Sequence, residues 1–285
     1  MKRQVATFLI IFFWTKTILL SYSLELNTSY DYFRGLPEGS WNGNSGALVA
    51  ANGGICLFDC IAVQAGGSYG VYNWDGHENV VFDSRSHVEQ IGFITAGLSS
   101  SYNGWNGGVV YDRLFTQHFG IYNLNPSIDQ LRFQAGYTFC SDELGIWGTL
   151  DLTRCHKKAL GLPVSFKAIG QMNAFWTHVF ENCAKTTVWL GMPYRSGLMF
   201  PHQKAGNFIA GFSFRVPLTC QFVLEGNGSY MAGRHSHERV QSRNYGSNIC
   251  VGITYLFSDD SEYCSAPYMA IANHSNFFVD TNVNQ

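Results

Sequence analysis

The side chains best suited to chemistry fall in two short stretches. His235 and His237 stand two apart in "GRHSHER", and Asp75, His77 and Glu78 cluster in "WDGHE". Imidazoles and carboxylates at such spacing can ligate a metal or form a His/Asp general-base pair. Both stretches read as loops, where His-x-His is also an ordinary solvated pattern, and spacing alone assigns no nucleophile to a base. The chain carries no phosphate-binding loop, no Cys-x-x-Cys and no dinucleotide fingerprint. The expectation is a protein that is not an enzyme, with His235, His237, Asp75 and His77 held as the catalytic candidates and with neither metal nor cofactor.

The elements that would position those loops begin after an export signal. Lys2 and Arg3 precede an apolar run, Ala6 to Trp14, which Ile18 to Leu20 resume. Ser21-Tyr22-Ser23 then fits a small-x-small cleavage site, so residues 1–23 resemble a secretory signal peptide. The uninterrupted run is too short for a membrane helix, which takes about 20 residues. Charged residues are 13% of the chain, about half the usual quarter of a soluble domain, while aromatics are 15% and glycines number 30. A net charge of −2 gives no reason to expect a nucleic-acid partner.

Residues 24–58, rich in Ser, Asn and Gly, read as an irregular leader. Period-2 alternation then takes over. In "DQLRFQAGYTFC", Leu131, Phe133, Ala135, Tyr137 and Phe139 oppose Gln130, Arg132, Gln134, Gly136 and Thr138. "NFIAGFSFRV" and "ICVGITYLF" alternate in the same way. Ten strands follow, at about 59–74, 89–101, 105–118, 129–141, 143–155, 163–175, 185–194, 206–217, 219–232 and 244–257. Connectors alternate between short and long, which describes an antiparallel transmembrane β-barrel. "FWTHVF", 175–180, fits this count poorly, so twelve strands is the alternative.

Alternation alone does not say which face meets lipid. A soluble barrel would stud its polar face with charges, and a secreted soluble β fold is the competing reading. Here the polar face is mostly Gly, Ser, Thr, Gln and Asn. Its few charges, Arg132, Asp151, Lys167, Arg215 and Glu225, are of both signs and are expected to face the lumen. The apolar stripe then faces outer-membrane lipid. A lumen of eight to ten strands is filled by its own side chains, so an open diffusion pore is not expected.

Ile249, Val251, Ile253, Tyr255 and Phe257 make the closing strand similar to the C-terminal assembly signal of bacterial outer-membrane β-barrel proteins. That resemblance implies the bacterial outer membrane as location and the barrel-assembly machinery as a partner. In such proteins the final Phe usually ends the chain, whereas here residues 258–285 follow as a periplasmic tail, read either as a plug of the periplasmic mouth pinned by Cys264 or as a loose end. On the ten-strand reading Cys56, Cys60, Cys140, Cys183, Cys220 and Cys264 fall at the periplasmic rim. Eight cysteines in an exported chain suggest disulfides, within the chain or to other envelope proteins. Their placement resembles the cysteine-rich outer-membrane proteins of chlamydia-like bacteria. The sequence thus reads as a leader at 24–58, a barrel at 59–257 and a tail, with a structural or surface-interaction role. A narrow porin-like channel for small solutes and an outer-membrane hydrolase are the alternatives.

Overall fold

The computed structural model describes residues 22–35, 39–58, 60–78, 86–120, 122–198, 204–233, 245–257 and 269–283. The expected signal peptide lies outside them, apart from Tyr22 and Ser23, as do His235, His237 and Cys264.

Among the described residues, fifteen strands form two sheets. Twelve close into an antiparallel barrel: β1 (Tyr22–Gly35), β2 (Gly39–Phe58), β3 (Ile61–Glu78), β4 (Ser86–Tyr102), β5 (Trp105–Gln117), β6 (Ser127–Phe139), β7 (Asp142–Asp151), β10 (Gln171–Val179), β11 (Lys185–Pro193), β12 (Ile209–Pro217), β13 (Phe222–Met231) and β14 (Gly246–Leu256). The remaining three, β8 (Arg154–Ala159), β9 (Leu162–Ala168) and β15 (Val279–Val283), form a small sheet in the order β15-β9-β8.

The barrel therefore has twelve strands and not ten. Residues 24–58, expected to be an irregular leader, supply β1 and β2. β1 pairs with β14, where Tyr30 lies opposite Val251, and this seam closes the wall. The stretch 163–175, expected to be one strand, is divided. Its first half is β9, outside the wall, and its second half begins β10, which runs on through "FWTHV".

Local chemistry explains the wall. On β4, Ile94 and Leu98 point outward, about half exposed, while Phe93, Thr95 and Ser99 are buried inward. Ile249, Val251 and Ile253 of β14 are similarly exposed on the outer face, whereas Cys250 faces the lumen. At the short-turn end, outward rings pair along the rim: Trp105 with Tyr137 at 5.1 Å and Phe222 with Tyr255 at 5.3 Å. The β4–β5 hairpin turns on Asn103 and Gly104, with φ of 49° and 82°. Positive φ at both central residues matches the right-handed twist of the flanking strands, and Asn-Gly accepts it at little cost.

Twelve strands enclose more room than eight, where side chains alone fill the interior. That room is occupied by the chain itself. β14 ends at the short-turn end, and residues 269–278 run inside the lumen to the long-loop end, where β15 pairs with β9 from Val279–Ala168 to Val283–Val164. Wall glycines make space for this segment. A Cβ on Gly108 would lie 2.6 Å from Met269 Sδ, and one on Gly66 would lie 2.7 Å from Ile271 Cγ2.

Candidate functional site

The lumen gathers buried polar groups against the C-terminal segment of the chain. Gln64 of β3 clamps the entry of that segment: its Nε2 donates to the Met269 carbonyl and its Oε1 accepts the Met269 N–H, both at 2.8 Å. Next comes a network on β4, β5 and β6. Asp112, fully buried, accepts from Thr95 Oγ1 at 2.7 Å, from Gln130 Nε2 at 3.0 Å and from Arg132 through Nε and Nη2 at 3.0 and 3.1 Å. Arg132 Nη2 also donates to the Ala270 carbonyl at 2.6 Å, and Thr95 Oγ1 accepts the Ala272 N–H at 2.8 Å. A bidentate guanidinium–carboxylate pair is among the strongest hydrogen-bonded units available to a protein. Here it fixes two wall groups that hold the segment's backbone.

Higher in the lumen the segment turns through His274, Ser275 and Asn276. His274 stacks on Phe33 with centroids 4.0 Å apart, and its Nδ1 lies 2.7 Å from Asp31 Oδ2, which also accepts from the Tyr72 hydroxyl at 2.8 Å. Ser275 Oγ donates to Asn227 Oδ1 and accepts from Asn248 Nδ2. The Asn276 carbonyl accepts from Gln130 and Gln171. Wall residues of β1, β3, β4, β6, β10, β13 and β14 thus hold the segment, mostly through its backbone. Polar groups buried at this depth cost free energy unless paired, and the segment supplies the partners.

The long-loop mouth is closed by apolar packing. Val164, Phe166 and Ala168 of β9 are fully buried with Tyr72, Ile91, Phe93, Leu114, Ile128 and Phe277 in one core. β15 is tied in from the side: Asp280 Oδ2 accepts the Leu198 N–H at 2.6 Å, and Asn282 Nδ2 donates to the Leu198 carbonyl at 3.1 Å. Burial pushes the Asp280 carboxyl above the ordinary carboxylate range, against the opposing pull of the Leu198 N–H and Lys167. Burial likewise pulls the Lys167 ammonium below its ordinary value.

Toward the short-turn end the lumen opens into a cavity of about 440 Å³. Its floor is Met269 to Asn276, and its walls reach Ser23, Cys56 and Cys183. Charged groups line it. Arg215 Nη2 donates to Glu25 Oε1 at 2.9 Å, and Arg215 Nε lies 2.7 Å from Glu225 Oε1, an ion pair without hydrogen-bond alignment. Asp31, Arg132, Glu143 and Lys185 also line it, with Trp147, Phe175 and Trp189.

Of the residues expected in the lumen, Arg132, Arg215 and Glu225 line this cavity. Asp151 stands instead at the long-loop end of β7, 2.8 Å from Arg195. Lys167 is not on the barrel wall at all. It lies on β9 and donates to the Ser196 carbonyl at 2.5 Å, because the stretch that carries it left the wall. Asp31, Asp112 and Thr95 were not singled out by sequence, and Gln64 and Gln130 were read only as part of a polar strand face. Their signal was the presence of carboxylates and amides on the polar face of strands.

The backbone of Asp75 and His77 continues β3 beyond the wall, where His77 lies opposite His87, and their side chains are outside the description. Among the described residues no group of three His, Cys, Asp or Glu side chains is placed to hold a metal. Cys56, Cys60, Cys140, Cys155, Cys220 and Cys250 are free thiols. The expected bridges at Cys56, Cys60, Cys140 and Cys220 are therefore not formed: Cys56 and Cys60 flank one turn, between β2 and β3, without bonding, and Cys140 and Cys220 stand in the β6–β7 and β12–β13 turns. Cys183 is disulfide-bonded, and no disulfide joins two described residues.

No curated protein matches the chain. Solved structures with a similar course include outer membrane phospholipase A from Escherichia coli, 8% identical over 84% of this chain and 98% of that one, at a TM-score of 0.45. The toluene transporter TodX of Pseudomonas putida is 10% identical over 82% and 89%, also at 0.45. An anion-selective porin from Comamonas acidovorans is 8% identical over 84% and 99%, at 0.37. Likenesses at these scores carry no argument about activity. A family model matches residues 25–279, nearly the whole of the barrel, cap and lumen segment, and the chain belongs to that family, the Family of unknown function (DUF6666).

Proposed function

We propose that this protein is a bacterial outer-membrane β-barrel held shut by its own C-terminal segment, with a structural or surface-presenting role. The observation that carries this is the course of residues 269–283 through the lumen, hydrogen-bonded to the wall and finished as a strand of the cap. The membrane setting rests on the outward face. Leu98, Ile146, Leu190 and Ile253 stand exposed between rims of Tyr, Trp and Phe, and a closed wall leaves no backbone edge unpaired in lipid. The short-turn end is the periplasmic side and the long loops face outward. Export by the N-terminal signal and insertion by the barrel-assembly machinery belong to the same reading.

The cavity beneath the segment favours a second reading, a narrow solute passage that opens when the segment leaves. Planar-bilayer conductance decides between the two. The full chain is expected to conduct negligibly, and a chain ending at Phe257 to conduct in steady steps. Steady conductance by the full chain would overturn the closed-barrel reading, and silence from a folded truncated chain would remove the passage.

Cysteine adds a tether to this reading. With six described thiols free and Cys183 bonded, the remaining cysteine of the sequence is Cys264, just ahead of the lumen segment. A bridge between them would pin the plug, and the free thiols at the periplasmic rim leave linkage to other envelope proteins to be tested by comparing reducing and non-reducing gels. No observation favours the hydrolase, whose candidate side chains lie outside the description.

A further inference from the structure

The cap carries an uneven charge. From Leu152 to Phe180 the sequence has no Asp or Glu, yet Arg154, Lys157, Lys158 and Lys167 fall within it. β8 is the edge of the cap sheet, with no strand on its other side among the described residues. Arg154, His156, Lys157 and Lys158 are all exposed. Arg154, His156 and Lys158 alternate along one face of the strand, at about 6.6–6.8 Å per two residues. The described acids at this end do not neutralise them. Asp151 is taken by Arg195, Asp129 lies against Arg113, and Glu89 and Asp280 are buried. Among the described residues, Arg154, Lys157 and Lys158 make no ion pair.

Apolar groups accompany these charges. The hairpin tip exposes Leu160 at 74% and Leu162 at 43%, and Leu152, where β7 leaves the wall, at 50%. Basic side chains next to exposed leucines, at the rim where an outward apolar face ends, match a surface that is anionic above and hydrocarbon below. We propose that the β8–β9 hairpin is a docking surface for phosphate-bearing lipid headgroups of the leaflet at the long-loop end. This rests on the membrane-barrel reading. The basic residues bind phosphates, and the leucines dip toward the acyl chains. A free polyanion would satisfy the charges but leaves the leucines unexplained.

The test uses the full chain folded in zwitterionic detergent, with three probes: phosphatidylglycerol, phosphatidylcholine of the same acyl chains, and heparin. Native mass spectrometry and competition titration read retention. Phosphatidylglycerol is expected to be retained over phosphatidylcholine. Combining Arg154→Gln, Lys157→Gln and Lys158→Gln is expected to weaken it by about tenfold or more, each charge near an anionic surface being worth about fivefold. Should the triple variant fail to fold, Lys157→Gln alone reads the same effect at about fivefold. Unchanged retention by the variant, equal retention of phosphatidylcholine, or binding of heparin without phosphatidylglycerol each overturns the proposal. Failure of the membrane reading shows separately, as wild-type protein that stays dissolved without detergent and lacks heat-modifiable gel mobility.

Discussion

At the long-loop end the lumen is packed with rings and branched chains, Phe33, Tyr72, Phe93, Phe166 and Phe277 among them, around a gap of about 20 Å³. At the short-turn end the same barrel encloses about 440 Å³ bordered by Glu25, Glu143, Lys185, Arg215 and Glu225. One segment of chain divides the two. Closure draws its stability from different interactions in the two halves. In the upper half, burial of apolar area and a paired sheet lock the segment. In the lower half, the segment is a floor held by hydrogen bonds to its backbone, and the charges around it border an open cavity.

If that contrast holds, substitutions in the two halves differ in size. The largest effect belongs to Phe277→Ala, which deletes a ring 2% exposed at the centre of the upper core. A cost of about 3–5 kcal/mol is expected, read by urea unfolding of the folded band. Phe166→Ala on β9 acts on the same core and should couple with it, the double variant costing less than the sum. A loss near 1 kcal/mol for either would mean that the cap is loosely seated.

An intermediate effect concerns pH. The Asp280 carboxyl is raised by burial, so the docked form binds its proton more tightly than a free segment does. Linkage then gives the sign. Between the ordinary carboxylate value and the raised one, the folded form holds more protons, and stability falls as pH rises through that window. Docking of β15 is expected to tighten on acidification, read as larger hydrogen-exchange protection factors at Val279–Val283 relative to the intrinsic rate at each pH. Asp280→Asn should flatten that dependence while keeping the acceptor for Leu198. A wild-type profile that loosens on acidification contradicts the assignment.

The smallest effect is expected in the lower half. Glu225→Gln removes one partner of Arg215, whose side chain is 32% exposed and which keeps Glu25. Stability should change by about 1 kcal/mol or less. A loss as large as that of Phe277→Ala would show that the lower lumen is dry and structural.

The same two regions explain what the sequence could tell. Period 2 identified most of the wall, since Leu131, Phe133 and their like face one side and amides the other. β1 was readable in principle, because Leu24, Leu26, Tyr30 and Tyr32 alternate. It was masked by the glycines and asparagines of β2, which have low strand propensity but suit a crowded inner wall. β9 misled in the opposite way. Val164, Phe166 and Ala168 alternate as a lipid-facing strand does, yet their apolar face is covered by Phe277 and Phe93. Alternation says that one face is apolar and not what covers it. The lumen segment was the least legible. Its partners, such as Gln64 with Met269, lie 205 residues apart, and no local pattern encodes that distance.

Residues 269–278 lie inside the barrel, ahead of the cap strand β15. Ala272 N and Thr95 Oγ1 are 2.8 Å apart in the middle of the lumen. In a chain whose native cysteines are replaced by serine, Thr95→Cys with Ala272→Cys should therefore cross-link on mild oxidation, giving a reducible mobility shift in the folded band. A folded, heat-modifiable barrel that forms no such bond, while a wall pair such as Ile94→Cys with Arg113→Cys does, would contradict the account.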